Sequence, residues 1–277
     1  MNMKNFNPNK FLLKGAACFC ILASMVFAGS CHKAKADDDN PVRPESADQR
    51  PDSALAHLLR SIADGDARNF ASAGVYPIER KYPLRSIEDS ATMVDYFPVL
   101  VDDSLKKIAA EAKTSDWNFY GWRGWALGDS AILWFDDGLQ FVDYESKAET
   151  GLRKMLARDE IKSLPPQYRE GWTPVITLVE TDGGRIFRID SNSDDYRLME
   201  YENEGDIPSN PTLVLVGTLD SEGSAEYRMY VFSDSTGIKA EYMPDAEPPV
   251  TIDISKAGKP LKSHKVRRGY WRDHLRR

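Results

Sequence analysis

Only one of the three cysteines in this chain lies beyond its apolar first segment, so disulfide bonds within a single mature chain cannot hold the fold together. Cys18 and Cys20 lie within residues 15–27, a largely apolar run that three lysines precede. The run is shorter than the roughly 20 apolar residues that a membrane-spanning helix needs, and the pattern is typical of a signal peptide that is removed. The rest of the chain must therefore fold by burying apolar side chains.

The third cysteine, Cys31, follows small residues at 28–30 that a signal peptidase can accommodate. The sequence of residues 27–31, Phe-Ala-Gly-Ser-Cys, resembles the lipobox of bacterial lipoproteins, although the commonest form has Leu in place of Ala28. This resemblance implies that residues 1–30 are removed and that Cys31 is acylated. The protein would then be anchored by lipid in the outer membrane, facing the periplasm or the cell surface. The alternative is an ordinary secretory signal with a chance cysteine.

Residues 31–51 contain no apolar periodicity and are rich in proline and charged residues, so we expect a disordered tether. The Lys- and Asp-rich start of this stretch resembles the signal that sends some Gram-negative lipoproteins to the outer leaflet of the outer membrane. A solvated linker without such a signal is the alternative interpretation.

The charge of the chain argues against nucleic acid as a partner. The formal net charge is -7, and loss of the three lysines before residue 15 makes the mature chain -10. Phosphate binding needs a basic surface, whereas the strongly basic segment here is confined to residues 262–277, with seven Lys and Arg against one Asp. We expect these residues to form a tail that contacts anionic lipid headgroups, frays, or docks on the acidic remainder of the chain.

Helical and strand patterns both occur in residues 52–163. The first helix is indicated by four apolar residues at helical spacing: Leu55, Leu58, Leu59 and Ile62. Segments 121–127, 131–135 and 139–144 are apolar and aromatic, and turn signals separate them, which indicates strands. Helical composition returns before the break at Leu164-Pro165-Pro166. This order predicts an α+β domain over residues 52–163.

Residues 164–261 are predicted to form an all-β domain. About seven short segments rich in β-branched and aromatic residues alternate with turn signals such as Thr181-Asp182-Gly183-Gly184. Short strands at this spacing are typical of a small sandwich or barrel.

The first domain resembles the cystatin-like cone of the superfamily that includes nuclear transport factor two and the SnoaL-like proteins. The residues that carry the resemblance are the helix pair at 55–70, Tyr82-Pro83-Leu84, and the strand segments at 122–135 and 141–144. Similar segments recur in uncharacterised envelope lipoproteins. The resemblance implies helices on a curved antiparallel sheet that can enclose a pocket, used by some members for catalysis and by others for binding alone.

The most conspicuous candidate site is a group of aromatic residues around Arg123. Trp117, Trp122, Arg123 and Trp125 could line a pocket for a sugar ring or an apolar ligand, with Asp116 and Trp134 nearby. The alternative is that these tryptophans belong to the core. If 122 and 125 lie on one strand, they point to opposite faces, so we expect one to be buried and the other partly exposed.

The histidines do not indicate catalysis. His57 lies off the apolar face of the first helix, and the other mature histidines lie in the predicted terminal segments. None is spaced for metal binding, and we predict no catalytic residue, metal or cofactor. Residues 190–195 alternate oxygen-bearing side chains as calcium loops do, but Asp195 replaces the loop glycine and Tyr201 the final glutamate, so an acidic turn is favoured.

Taken together, these patterns predict a lipid-anchored envelope lipoprotein that binds a glycan or an apolar small ligand without catalysis. One alternative is a small-pocket enzyme of the SnoaL-like kind. Another is a structural or inhibitor protein of the envelope.

Overall fold

A computed structural model describes residues 50–203, 209–220, 228–246 and 248–274. The predicted signal peptide, Cys31 and nearly all of the predicted tether lie outside the described residues. The contacts between Cα atoms divide the chain into two units. Among the described residues, the first unit comprises 50–79 and 86–149, and the second comprises 80–85 and 150–274. The bounds of the predicted domains stay a prediction.

The first unit places four helices before a small antiparallel sheet. The elements are α1 (Asp52–Ala63), α2 (Ala67–Ser72), α3 (Ser90–Leu100), α4 (Asp103–Glu111), β1 (Trp117–Phe119), β2 (Trp125–Leu127), β3 (Leu133–Phe135) and β4 (Leu139–Val142). Three helices begin where an aspartate side chain accepts backbone N–H groups, namely Asp66, Asp89 and Asp102. The apolar stripe of α1 is buried.

The predicted fold class is wrong, because the first unit contains no helix-wrapping cone. The described strands of its sheet, in the order β1-β2-β3-β4, are only three or four residues long, too short to curve around a helix. The expected strand at 121–127 is interrupted because Gly124 has a φ of 78°. At that position a Cβ atom would lie 2.5 Å from the carbonyl oxygen of Phe135, so only glycine fits.

The second unit contains a closed antiparallel barrel. Its eight described strands are β5 (Thr173–Glu180), β6 (Ile186–Ser191), β7 (Tyr196–Tyr201), β8 (Leu213–Asp220), β9 (Met229–Ser233), β10 (Ile238–Tyr242), β11 (Thr251–Lys256) and β12 (Lys259–Gly269). Each strand pairs with the next along the chain, and β12 pairs with β5 to close the cylinder. Most of the basic residues expected in a tail at 262–277 therefore lie in or next to the closing strand.

The barrel interior is packed with apolar and aromatic side chains. Phe187, Phe232 and Ile252 are fully buried there, and Tyr242 is nearly so. An eight-stranded barrel encloses a space that side chains can just fill, so the interior serves as the core of this unit.

The outer face of β6 is buried as well. Leu164, just after helix α5 (Lys147–Ser163), and Trp271, near the end of the chain, pack against Ile186 of β6 and against Met199 and Tyr201 of β7 in an outer apolar cluster. Because strand residues alternate between faces, Arg188 and Asp190 lie on this covered outer side of β6. Two charged side chains are thus enclosed between a sheet and its covering segments.

An ionic cluster compensates these charges. Arg188 donates to Asp190 at 2.7 Å through Nε and to Glu160 of α5 at 3.2 Å through a terminal nitrogen. Arg197 of β7 donates to the second oxygen of Asp190 at 2.5 Å. All four side chains are at most 4% exposed. We refer to these four residues as the ionic cluster.

Neutral groups add hydrogen bonds around the ionic cluster. The Tyr82 hydroxyl, from residues 80–85, lies 3.1 Å from a Glu160 oxygen and 2.8 Å from the Thr177 hydroxyl. The backbone N–H of Trp271 donates to the same hydroxyl at 3.2 Å. The charged residues come from α5, β6 and β7, and the neutral groups add residues 80–85, β5 and Trp271, so the contacts join six stretches of the chain. Removing one charged partner would leave another charge buried and uncompensated.

We predict that the ionic cluster makes stability depend on pH. Burial raises the pKa of Glu160 to about 7, although the charge of Arg188 and the hydrogen bond from Tyr82 oppose the change. The folded state therefore holds this proton more tightly than the unfolded state, whose ordinary value is 4.5. The contribution of Glu160 to the free energy of unfolding should fall as pH rises from about 4.5 to about 7 and level off beyond that.

Glu160→Gln isolates this contribution, because glutamine is neutral at every pH. Urea denaturation of both proteins between about pH 4 and 8 should show the wild type losing stability relative to the variant as pH rises. A difference that is constant or grows in the opposite direction would contradict the assignment.

Candidate functional site

The structure separates the tryptophans that the sequence analysis grouped together. Trp117 and Trp125 are each 2% exposed and belong to the core of the first unit. Trp122 is 68% exposed, and Arg123 beside it is exposed as well. Cys31, the predicted lipidation site, lies outside the described residues. The four predicted binding residues thus do not line one pocket.

A tight turn between β1 and β2 presents Trp122 to solvent. Gly121 and Gly124 both have positive φ, and one turn of 3-10 helix, Gly121–Arg123, lies within this stretch. The Arg123 guanidinium lies 5.0 Å from the centroid of the Trp122 ring, a cation–π arrangement. The glycines are therefore the local reason why a large indole ring leaves the core.

Other aromatic rings lie on the outward face of the same sheet. The strand register aligns Asn118, Ala126, Trp134 and Phe141 across β1 to β4. Phe141 is 41% exposed, and Trp134 is half-buried with its ring centroid 5.1 Å from that of Tyr120. We call Tyr120, Trp122, Trp134 and Phe141 the aromatic face.

The aromatic face combines ring surfaces with polar groups. Asn118 and Arg123 are exposed on or next to it and carry hydrogen-bond donors, whereas the Gln140 amide donates to the carbonyl of Asp136 at 2.9 Å. Asp116 instead accepts a hydrogen bond from the backbone N–H of Lys113 at 2.8 Å and so stabilises the local turn. This arrangement can stack against a flat or ring-shaped ligand and bind its polar edge.

The sequence analysis missed a buried His–Glu pair, because it assigned His264 to a tail. Nδ1 of His264 lies 2.6 Å from a Glu180 oxygen, and its ring centroid is 5.1 Å from that of Phe187 inside the barrel. Burial opposes ionisation of Glu180, but hydrogen bonds and charge from His264 and Arg185 outweigh it and lower the carboxyl pKa. The alternation of His264 and Val266 with the polar residues Ser263, Lys265 and Arg267 was the signal that could have revealed this strand.

Among the described residues, no group of three or more His, Cys, Asp or Glu could hold a metal ion. The oxygen-rich segment after β6 is a turn in which the Asn192 side chain accepts the N–H groups of Asp194 and Asp195. No helix in the described ranges is long and apolar enough to cross a membrane.

Comparison of the sequence and structure with known proteins identified no match. No protein-family model matches the chain, and no curated protein or solved structure matches it.

We predict losses of stability of very different size for substitutions at the two central tryptophans. Trp125→Ala should lower the free energy of unfolding by roughly 3–5 kcal/mol, because it leaves a cavity in the core. Trp122→Ala should cost under about 1 kcal/mol, because its ring is mostly solvated. Urea denaturation of both variants measures the difference. Equally large losses would show that Trp122 is packed and not available to a ligand.

Proposed function

We propose that this protein is a non-catalytic, lipid-anchored binding protein of the bacterial outer membrane, and that its aromatic face binds glycans. The single observation that carries the proposal is the largely exposed Trp122 ring, held on a glycine-bounded turn two residues after the exposed Tyr120. Soluble proteins rarely expose large apolar groups together unless the surface binds something.

The polar surroundings of the rings favour a sugar over an apolar ligand. A sugar presents a C–H face that stacks on an aromatic ring and hydroxyl groups around its edge. Arg123 and Asn118 lie where such hydroxyl groups could be bound, whereas a purely apolar ligand would leave these groups without a role. The SnoaL-like enzyme alternative loses its basis, because it depended on a cone that the first unit does not contain.

We predict that Trp122→Ala abolishes glycan binding without unfolding the protein. A glycan array probed with the wild-type chain should identify ligands, and titration calorimetry should show a loss of affinity of about tenfold or more in the variant. Met155→Ala is the control, because Met155 is an exposed apolar residue of α5 and belongs to the second unit. Absence of any glycan ligand, or equal binding by the variant, would refute the proposal. Binding to apolar probes alone would favour the other ligand class.

The anchor is tested separately. Cys31→Ser removes the only acceptor for a diacylglyceryl group in the mature chain, so we expect the protein to leave the membrane fraction in high salt. Mass spectrometry of the wild type should show the acyl groups on Cys31. Wild-type protein without acyl groups, cleaved at a different residue, would show an ordinary secretory signal instead.

A further inference from the structure

We propose that the tip of the β11–β12 hairpin, residues 256–262, docks on the surface of an anionic phospholipid membrane. The residues from 256 to 263 are all exposed, an uninterrupted stretch at the turn and the start of β12. Three of them are lysines, Lys256, Lys259 and Lys262, and the apolar Leu261 among them is 55% exposed.

On one side the hairpin extends past the end of β5. In β12, only Val266 to Gly269 pair with β5, whereas the residues from Lys259 to Lys265 lie along β11. The turn is tight, because Ala257 and Gly258 both have positive φ, as a two-residue hairpin turn requires. On the other side, β10 pairs with β11 as far as Lys256, and the N–H of Ala257 donates to the carbonyl of Gly237 at 2.9 Å. The tip therefore lies at the rim of the barrel, where its lysines can approach a surface together.

The charge of the hairpin is opposite to that of the chain. Residues 251–269 contain six Lys and Arg and one Asp, whereas the whole chain has a formal charge of -7. The single acidic residue, Asp253, accepts hydrogen bonds from the Thr251 and Ser263 hydroxyls. An anionic surface therefore attracts this hairpin while it repels most of the protein.

The exposed Leu261 among the lysines favours a lipid surface over dissolved phosphate as the partner of the hairpin tip. Lysines near an anionic leaflet are attracted to its surface potential, and Leu261 gains by leaving water for the region of the acyl chains. Loops at the same end of the barrel carry Asp182 and Asp234, whose negative charges oppose contact of the whole end, so the contact is expected at the lysine-rich turn. The contact should be weak on its own and sensitive to salt.

The inference is independent of glycan binding and of acylation. Its test uses the exported chain with Cys31→Ser, which no acyl chain can hold on a membrane, and vesicles sedimented with the protein. We expect binding to vesicles of phosphatidylethanolamine with about one third phosphatidylglycerol, little binding to phosphatidylcholine alone, and loss of binding as salt rises.

The variants decide which residues are responsible. Replacing Lys256, Lys259 and Lys262 together with Gln should lower the bound fraction by about tenfold or more, and Leu261→Ser should lower it several-fold. The matched control replaces three exposed lysines of the helical segments, Lys107, Lys113 and Lys154, with Gln and should bind as the parent does. Circular dichroism verifies that each variant is folded.

Three outcomes would overturn the proposal. The first is absence of binding to anionic vesicles, and the second is equal losses in the hairpin and control variants. The third is displacement by inorganic phosphate at matched ionic strength, which would show a discrete phosphate site in place of a lipid surface.

Discussion

Arg188 carries a positive charge at a position where only 1% of its side chain is exposed, and the arrangement of the second unit depends on how that charge is compensated. Asp190 lies two residues along the same strand, but Glu160 comes from α5 and the Tyr82 hydroxyl from residues 80–85. These segments are far apart in sequence, so the ionic cluster fixes where each lies on the barrel. Buried ion pairs contribute little net stability compared with apolar packing. A fold that buries one of these charges without its partner is strongly destabilised, so the pairs favour one arrangement of the segments.

The interior of the barrel is filled by side chains, so the candidate binding features lie on exposed surfaces. Aromatic and aliphatic side chains occupy the space that larger barrels use for ligands. Two exposed features remain conspicuous, the aromatic face in the first unit and the lysine-rich hairpin tip in the second. Both depend on glycine at a turn, Gly124 in one and Gly258 in the other, so backbone geometry determines which side chains reach solvent.

Local patterns predicted local features. The apolar spacing of Leu55, Leu58 and Ile62 corresponds to the buried face of α1, and the turn signal at 181–184 separates β5 from β6. The expected opposite exposure of Trp122 and Trp125 is present for a different reason, because Trp122 lies in a turn and not on a strand. The spacing of the two tryptophans predicted that one would be buried and the other exposed, but it did not predict the turn that exposes Trp122.

The failures concern pairings distant in sequence. The cone was inferred from helix and strand order, yet Gly124 and the adjoining turns divide the predicted strands into pieces too short for it. The closing strand was mistaken for a basic tail, because its partner β5 lies about 80 residues earlier and its outward lysines obscured the buried His264 and Val266. The ionic cluster could not be predicted, because nothing local links Glu160 to Arg188.

The central claim is that β12 closes the barrel and that the ionic cluster lies on its covered outer side. Native-state hydrogen exchange of the backbone amides from Val266 to Gly269 tests it most directly, because these residues pair with β5. A closed barrel predicts that their slowest amides exchange only by global unfolding, with the same free energy as the amides of β6. Exchange of this segment within seconds, as in a free tail, would contradict the account.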